Sequence, residues 1–342
     1  MRSEMKFAKV PLSESAAVIV SLKDMDAVDR FAKITKSGDY KLVPLSSEGI
    51  GRAERMGFEI VEGEAHSRER TPPQKRIVKD LCGIPKNVLD ELPMKWEYVG
   101  DIAIIRLASS AEPYKERIGR AYSENLGVNT ICVDRGGVSG ELRRPNMEVI
   151  FGRNTESVRS ENGIRYCFDV TKVMFASGNI DERERMGRLD CTGETVVDMF
   201  AGIGYFTLPL ARFTKASKVF AYEKNPDSYG FLIRNIELNG VGDTVIPVLG
   251  DNRDIPYREF ADRVIMGYVQ KTSEFLPKAL EIIKPGGVIH YHDTFYIHEY
   301  EQRIDDIFSK ACAGRRFHVE EIREVKSFAP SVSHYVADVI VY

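Results

Sequence analysis

The chain has 342 residues, with 48 lysines and arginines against 51 aspartates and glutamates and a formal net charge of −3. That length allows two or three domains with substantial cores, and the near-balanced charge excludes a uniformly basic nucleic-acid binder, so any RNA contact must use local patches. Five scattered cysteines (Cys82, Cys132, Cys167, Cys191, Cys312) form no CxxC pair, no charged leader precedes an apolar stretch and no apolar run reaches membrane-span length; reduced thiols, no metal and a soluble cytoplasmic protein are expected.

Residues 1–62 read as a small α+β unit. MKFAKVPLS predicts a strand, SAAVIVSLKDMDAVDRFAKI a helix broken near Asp24, and YKLVPLS a strand bounded by Ser37–Gly38. The polar stretch 63–75, with Pro72–Pro73, offers too little apolar area to pack and reads as a linker. Residues 76–172 read as a second α+β domain: a helix around 74–90, a hairpin in KWEYVGDIAIIRL turning at Gly100–Asp101, and a helix in EPYKERIGRAYSENLG stopped by Gly127. Short strands follow in TICVDRGGVSGELRRP, MEVIFG and IRYCFDV. Here Arg135, Arg143, Arg144 and Arg153 lie beside Gly136, Gly137 and Gly140. Arginine forks suit phosphate oxygens, and glycines let a backbone lie close to a sugar–phosphate strand, so these four are candidate RNA contacts. Interleaved glutamates (Glu141, Glu148, Glu156, Glu161) are the usual mark of a solvated face of mixed charge, which on spacing alone is the favoured reading.

Residues 173–342 carry the strongest signal. The bridge VMFASGNIDERERMGRL holds Ser177 or Asn179 as a helix cap ahead of Arg183, Arg185 and Arg188. In VVDMFAGIGYFTLPLA a buried-strand run ends at Asp198, a turn with Gly202 and Gly204 follows, and an apolar segment starts a helix. Strand, acid, glycine turn and helix start together hold an adenosine-bearing cofactor at the carboxyl end of a strand. Only two glycines are present and the acid precedes them, which favours S-adenosylmethionine over a dinucleotide: Asp198 would receive the methionyl ammonium or its bound water. SKVFAYEKNP ends a second strand at Glu223, placed to accept from both ribose hydroxyls. A third ends at Asp251 and Asn252, suited to the adenine amino edge, and a fourth runs into Gly267 and Tyr268. His290 and His292 share a strand face, and without a third or fourth ligand they read as pocket lining or packing. Alternation of strands and helices, closed by an antiparallel pair, predicts the seven-stranded class I methyltransferase arrangement, a Rossmann-like α/β sheet.

YVGDIAIIRL, VDRGGVSGELRRPNMEVIFG, ENGIRYCFDVTKVMFASGNIDERERM, DMFAGIGYFTLPLA and EKNPDSYGFLIRNIELNGV resemble archaeal and eukaryotic enzymes acting on the purine 3′ to the anticodon of tRNA. The resemblance covers about 75–342 well; residues 5–46 are more weakly similar to the small N-terminal domain of the methyltransferases among them. Two sister groups share this frame. One methylates guanine N1; the other, tRNA wybutosine-synthesising enzyme 2, transfers the 3-amino-3-carboxypropyl group of S-adenosylmethionine to a tricyclic guanine derivative. The methyltransferases carry an Asn-Leu-Pro turn after the fourth strand, where this chain has Gly267–Tyr268–Val269. They also carry an Asn/Ser-Pro-Arg-Leu turn before the cofactor strand, where it has Ala176–Ser177–Gly178–Asn179. Both departures, with HYHDT at 290–294, imply aminocarboxypropyl transfer on tRNA(Phe), methylation being the alternative. The resemblance further implies Ser177 against the aminocarboxypropyl arm and Arg183 at the cofactor's carboxylate end or adenosine side. Tyr268 is the candidate to stack on the acceptor base, with a packed core tyrosine equally open. The partner implied is the tRNA anticodon stem-loop, with no membrane and no stable protein partner.

Overall fold

The computed structural model describes residues 4–29, 31–65, 71–140 and 144–342. It divides into two compact units, Met1–Arg76 and Ile77–Tyr342. Among the described residues no helix is long and apolar enough to cross a membrane.

In the first unit β1 (Glu4–Pro11), α1 (Ser15–Asp24), β2 (Thr35–Ser37), β3 (Tyr40–Pro44), α2 (Gly49–Arg55) and β4 (Glu59–Glu64) build an antiparallel sheet in the order β2-β3-β1-β4. Ala8, Val10, Leu22, Val43, Leu45 and Ala53 form its core. The break expected near Asp24 is where α1 ends, as Asp26 turns to a φ of 51°, but no helix resumes beyond it among the described residues of 25–34. The expected linker also begins too early. Residues 63 and 64 belong to β4, where Gly63 pairs with Met5 and Glu64 with Glu4. An edge strand needs backbone partners more than apolar area, so polarity alone did not reveal it.

The second unit begins within α3 (Pro73–Asp80), which α4 (Lys86–Asp90) follows, two helices where one was expected. Gly83, at a φ of 86°, and Pro85, which lacks an N–H, separate them. β5 (Glu97–Val99), β6 (Ile102–Ile105), α5 (Lys115–Leu126), β7 (Thr130–Ser139) and β8 (Arg144–Phe151) follow, the sheet running β5-β6-β7-β8. The hairpin of β9 (Glu156–Glu161) and β10 (Ile164–Asp169) leads through α6 (Ile180–Met186) to the large sheet. That sheet comprises β11 (Thr195–Asp198), α7 (Thr207–Phe213), β12 (Lys218–Glu223), α8 (Pro226–Asn239), β13 (Val245–Leu249), β14 (Ala261–Met266), α9 (Leu276–Ile282), β15 (Ile283–Tyr296), α10 (Tyr300–Cys312), β16 (Phe317–Ala329) and β17 (Val332–Val341). Its seven strands run β13-β12-β11-β14-β15-β17-β16, parallel through β15 and antiparallel at β17 and β16. This is the class I methyltransferase sheet with its closing hairpin.

No break in packing coincides with residues 172–173, where a boundary was expected. Val99, Ile102 and Cys132 share one buried cluster with Ile164, Phe168, Val196, Ile203 and Phe231. Asn235, fully buried on α8, holds that join. Its Oδ1 accepts from Cys167 N at 2.7 Å, while its Nδ2 donates to Cys167 O at 3.1 Å and Ile203 O at 3.0 Å. Neither β10, a hairpin strand, nor the turn at Ile203 has another strand to satisfy these groups, so the amide substitutes for one. Asn235→Leu should orphan one buried N–H and two carbonyls and lower stability by about 3 kcal/mol, read as a shift of the urea unfolding midpoint. An unchanged midpoint would remove Asn235 from this role.

Candidate cofactor cleft at the carboxyl ends of the parallel strands

A cavity of about 270 Å³ opens where β11, β12, β13 and β14 end. Met199, Phe200 and Gly202 line it after β11, Glu223 and Asn225 after β12, Asp251 and Asn252 after β13, and Gly267, Tyr268 and Val269 after β14. The opposite wall comes from Ala176, Asn179 and Arg183 around the start of α6 and from Lys326, Phe328 and His334 on the closing hairpin.

The glycine turn is held from two sides. Gly202 has a φ of 57°, and a Cβ there would lie 2.5 Å from the Tyr205 ring, so both conformation and space require glycine. Its N–H donates to Glu223 Oε2 at 2.7 Å, and Asn225 N donates to Oε1 at 2.7 Å. Burial raises the Glu223 pKa despite these donors. Each carboxylate oxygen keeps a lone pair for a ligand facing the cleft. Gly204 does not line the cavity: its Cβ would collide with Leu208 and Leu232, so it serves the packing of the turn on α7 and α8.

Asp198 also lies beneath the cleft rather than in it. It is fully buried; Phe200 N donates to its Oδ1 at 3.1 Å and Thr207 Oγ1 to its Oδ2 at 2.7 Å. The acid placed by sequence against a methionyl ammonium therefore braces the turn to α7. Ser177 is a second correction. It turns away from the cavity and donates to Glu97 Oε1 at 3.1 Å, leaving Ala176 and Asn179 of the same turn on the cleft. Asn179 stands at the N-cap of α6 without making the cap bond; its Oδ1 is buried and unpartnered.

Arg183 points from α6 into the cavity. Its Nε donates to Glu161 Oε1 at 2.5 Å, its Nη1 to Ala176 O at 2.9 Å, and the guanidinium lies 4.7 Å from the Phe175 ring centre. Its Nη2 is buried without a partner. Asn252 is similar: Nδ2 donates to Met199 O at 2.7 Å, and Oδ1 has no partner. Three orphaned polar atoms on one cavity, two acceptors and one cationic donor, fit a ligand carrying amino and carboxylate groups. Asp251 is less free. Arg253 binds its carboxylate at 2.9 and 2.6 Å and holds its pKa well below the usual range. Tyr268 stacks on Phe200 at 5.0 Å, extending an aromatic wall with Phe275.

Behind the wall runs a buried ionic chain that sequence reasoning did not find. Arg263 forks onto Glu194 at 2.7 and 2.9 Å and donates through Nη1 to His290 Nε2 at 2.8 Å. His290 Nδ1 donates to Asp338 Oδ1 at 2.6 Å, and Arg185 joins Asp338 Oδ2, at 2.7 Å, to Glu182. His290 is thus a structural link. His292 instead stacks on Phe206 at 5.2 Å and meets His334 Nε2 through Nδ1 at 3.2 Å.

The candidate RNA contacts separate. Arg135 is engaged: it pairs with Glu148 at 2.7 Å and Glu112 at 2.8 Å, in a cluster with Lys115. Arg144 makes a surface pair with Asp227 at 3.1 Å, Arg153 is exposed, and Arg143 lies outside the described residues.

Burial raises the Asp198 pKa to about 6, above its ordinary 3.8. Its contribution to stability is therefore full below pH ~4 and is lost as pH rises through ~6. Asp198→Asn removes that loss. Urea unfolding of both proteins at pH 4 and pH 7 should show the variant gaining relative to the parent as pH rises; a constant difference would contradict the buried assignment.

The chain matches the TRM5/TYW2 methyltransferase domain over residues 157–320 and the TYW2 N-terminal domain over 75–155. It is 42% identical to the tRNA(Phe) (4-demethylwyosine(37)-C(7)) aminocarboxypropyltransferase of Pyrococcus horikoshii, over 80% of this chain and 99% of that protein. It is 36% identical to the tRNA (guanine(37)-N(1))-methyltransferase Trm5b of Pyrococcus abyssi, over 94% of each. The crystal structure of P. horikoshii TYW2 in complex with MeSAdo superposes with a TM-score of 0.72 at 39% identity, covering 79% of this chain and 99% of that one. A sheet of this order, a cleft at its strand ends and this near-complete coverage of a curated relative have one explanation: the chain belongs to the TRM5/TYW2 family.

Proposed function

We propose that this chain transfers the 3-amino-3-carboxypropyl group of S-adenosylmethionine to C7 of the tricyclic guanine derivative 4-demethylwyosine, 3′ to the anticodon of tRNA(Phe). The observation that carries this reading is its likeness to the P. horikoshii transferase along almost that protein's whole length. The cleft supplies what such a cofactor needs. Glu223 accepts from the ribose hydroxyls, and Asn252 Oδ1, with Asp251 beside it, accepts from the adenine amino group. Arg183 Nη2 donates to the carboxylate, and Asn179 Oδ1 takes the ammonium. Gly202 lets the backbone approach, while Asp198 and Gly204 hold the turn from below.

When bound, S-adenosylmethionine supplies three electrophilic carbons on one sulfonium, and reaction occurs at the one aligned with the nucleophile at about 3–3.5 Å. A grip on both ends of the methionyl arm selects that alignment. Tyr268, stacked on Phe200 at the cleft, presents a π face for the acceptor ring. The tRNA backbone is met by Arg153 and by Arg144, whose exposed pair with Asp227 is weak enough to exchange for phosphate. Methylation of guanine N1 is the second reading, because the Trm5b likeness extends over 94% of this chain.

Product analysis on tRNA bearing the tricyclic base separates the two: methylthioadenosine marks aminocarboxypropyl transfer, and S-adenosylhomocysteine alone overturns it. Glu223→Ala should weaken S-adenosylmethionine binding by about 1–3 kcal/mol in titration calorimetry, whereas Ser177→Ala should leave it unchanged. Equal loss in both would sink the site assignment. Arg153→Glu should weaken tRNA binding and lower the salt slope by about one ion. Arg135→Ala should leave that slope alone, its side chain already facing Glu112 and Glu148.

A further inference from the structure

Alkylating C7 replaces a hydrogen, so the reaction proposed above needs a proton acceptor on the cleft. Several acids there are already committed. Asp198 lies beneath the turn, Asp251 is clamped by Arg253, and Glu223 sits at the ribose end with two backbone donors. Glu182 is bonded to Arg185 and does not line the cavity. His334 does line it, on β17, with only 3% of its surface exposed. Its Nε2 faces His292 Nδ1 at 3.2 Å, which leaves Nδ1 for an occupant of the cleft. His292 is fully buried, and its Nε2 has no hydrogen-bond partner, with Glu182 Oε1 3.7 Å away. The His292 ring is fixed by stacking on Phe206, which also packs where a Cβ on Gly267 would come within 2.7 Å of its ring. The histidine pair is thereby tied to the turn that faces the acceptor.

We propose that His334 is the base that takes the C7 proton of the acceptor, with His292 as the positioning residue that orients it. This rests on the aminocarboxypropyl reading above. The acceptor's C7 gives a ring electron pair to the arm's Cγ as the Cγ–S bond breaks and its pair stays on sulfur. The ring carbon then carries both hydrogen and the new substituent. His334 Nδ1 takes that proton, and the C–H pair restores the ring. Burial and the charge of Lys326 push the His334 pKa down to about 4, and burial holds His292 well below its ordinary value, so both rings start neutral. A weak base suffices, because a C–H on a cationic ring carbon is strongly acidic.

The test has two readouts. In cofactor-free protein labelled with 15N-histidine, the His334 signal, assigned by its loss in His334→Asn, should be a neutral ring protonated on Nε2. A proton on Nδ1, or a charged ring at pH 7, would overturn the proposal. With tRNA deuterated at C7 the parent should show little isotope effect. His334→Ala should lower kcat about 100-fold and bring out a primary isotope effect, with S-adenosylmethionine affinity kept and partial rescue by imidazole. His334→Asn, which keeps a polar group toward His292, should be equally slow and isotope-sensitive, and guards against misfolding of the alanine variant. Near-parental kcat in either variant, or a loss without an isotope effect, would overturn it. Release of no methylthioadenosine by the parent would instead overturn the reading of the activity itself.

Discussion

The fork of Arg185 onto Glu182 and Asp338 is the constraint on which the site depends. It ties α6 to β17, an element more than a hundred residues later in the chain, with Glu182 buried and Arg185 and Asp338 only slightly exposed. Burial works against the ionisation of Asp338, but the hydrogen bond from His290 and the charge of Arg185 hold its pKa well below the carboxylate range. A buried pair of this kind adds little net stability over apolar packing, yet losing one partner leaves an uncompensated charge costing about 3–5 kcal/mol. Its effect is therefore positional. With α6 fixed on the sheet, Arg183 enters the cleft while Glu182, its chain neighbour, faces the histidines.

The polar atoms around the cleft fall into two sets. Asp198, Gly204, Ser177 and two of the three nitrogens of Arg183 are engaged in building the wall. Arg183 Nη2, Asn252 Oδ1 and Asn179 Oδ1 are held by bonds through their own side chains or by burial, and are left open. A rigid wall with a few unsatisfied atoms is the preorganisation that lets binding energy choose which carbon of a sulfonium is presented.

Much of this was legible beforehand. The four strand ends at Asp198, Glu223, Asp251–Asn252 and Gly267 come together because parallel strands deliver their carboxyl ends to one edge, a consequence of topology that alternating patterns reveal. The resemblance of local segments carried the family, and the solved relatives bear it out. The direction of individual side chains was not legible. Ser177 and Ala176 are adjacent, and which of them faces the cavity depends on a turn whose conformation Glu97, eighty residues earlier, helps to set. Arg135 looked available for phosphate because its partners Glu112 and Glu148 lie on other elements.

The sequence by itself determined the parallel-sheet arrangement of the second unit, the strand-end positions of Glu223, Asp251, Asn252 and Gly267, and the family, because each is written in local periodicity, turn residues and contiguous motifs. Only the tertiary structure decided that Asp198 supports rather than lines the cleft, that Asn179 replaces Ser177 there, and that His334 reaches it from the closing hairpin. The physical reason is distance along the chain. Whether a polar atom is free depends on partners brought to it by folding, and no local pattern encodes them.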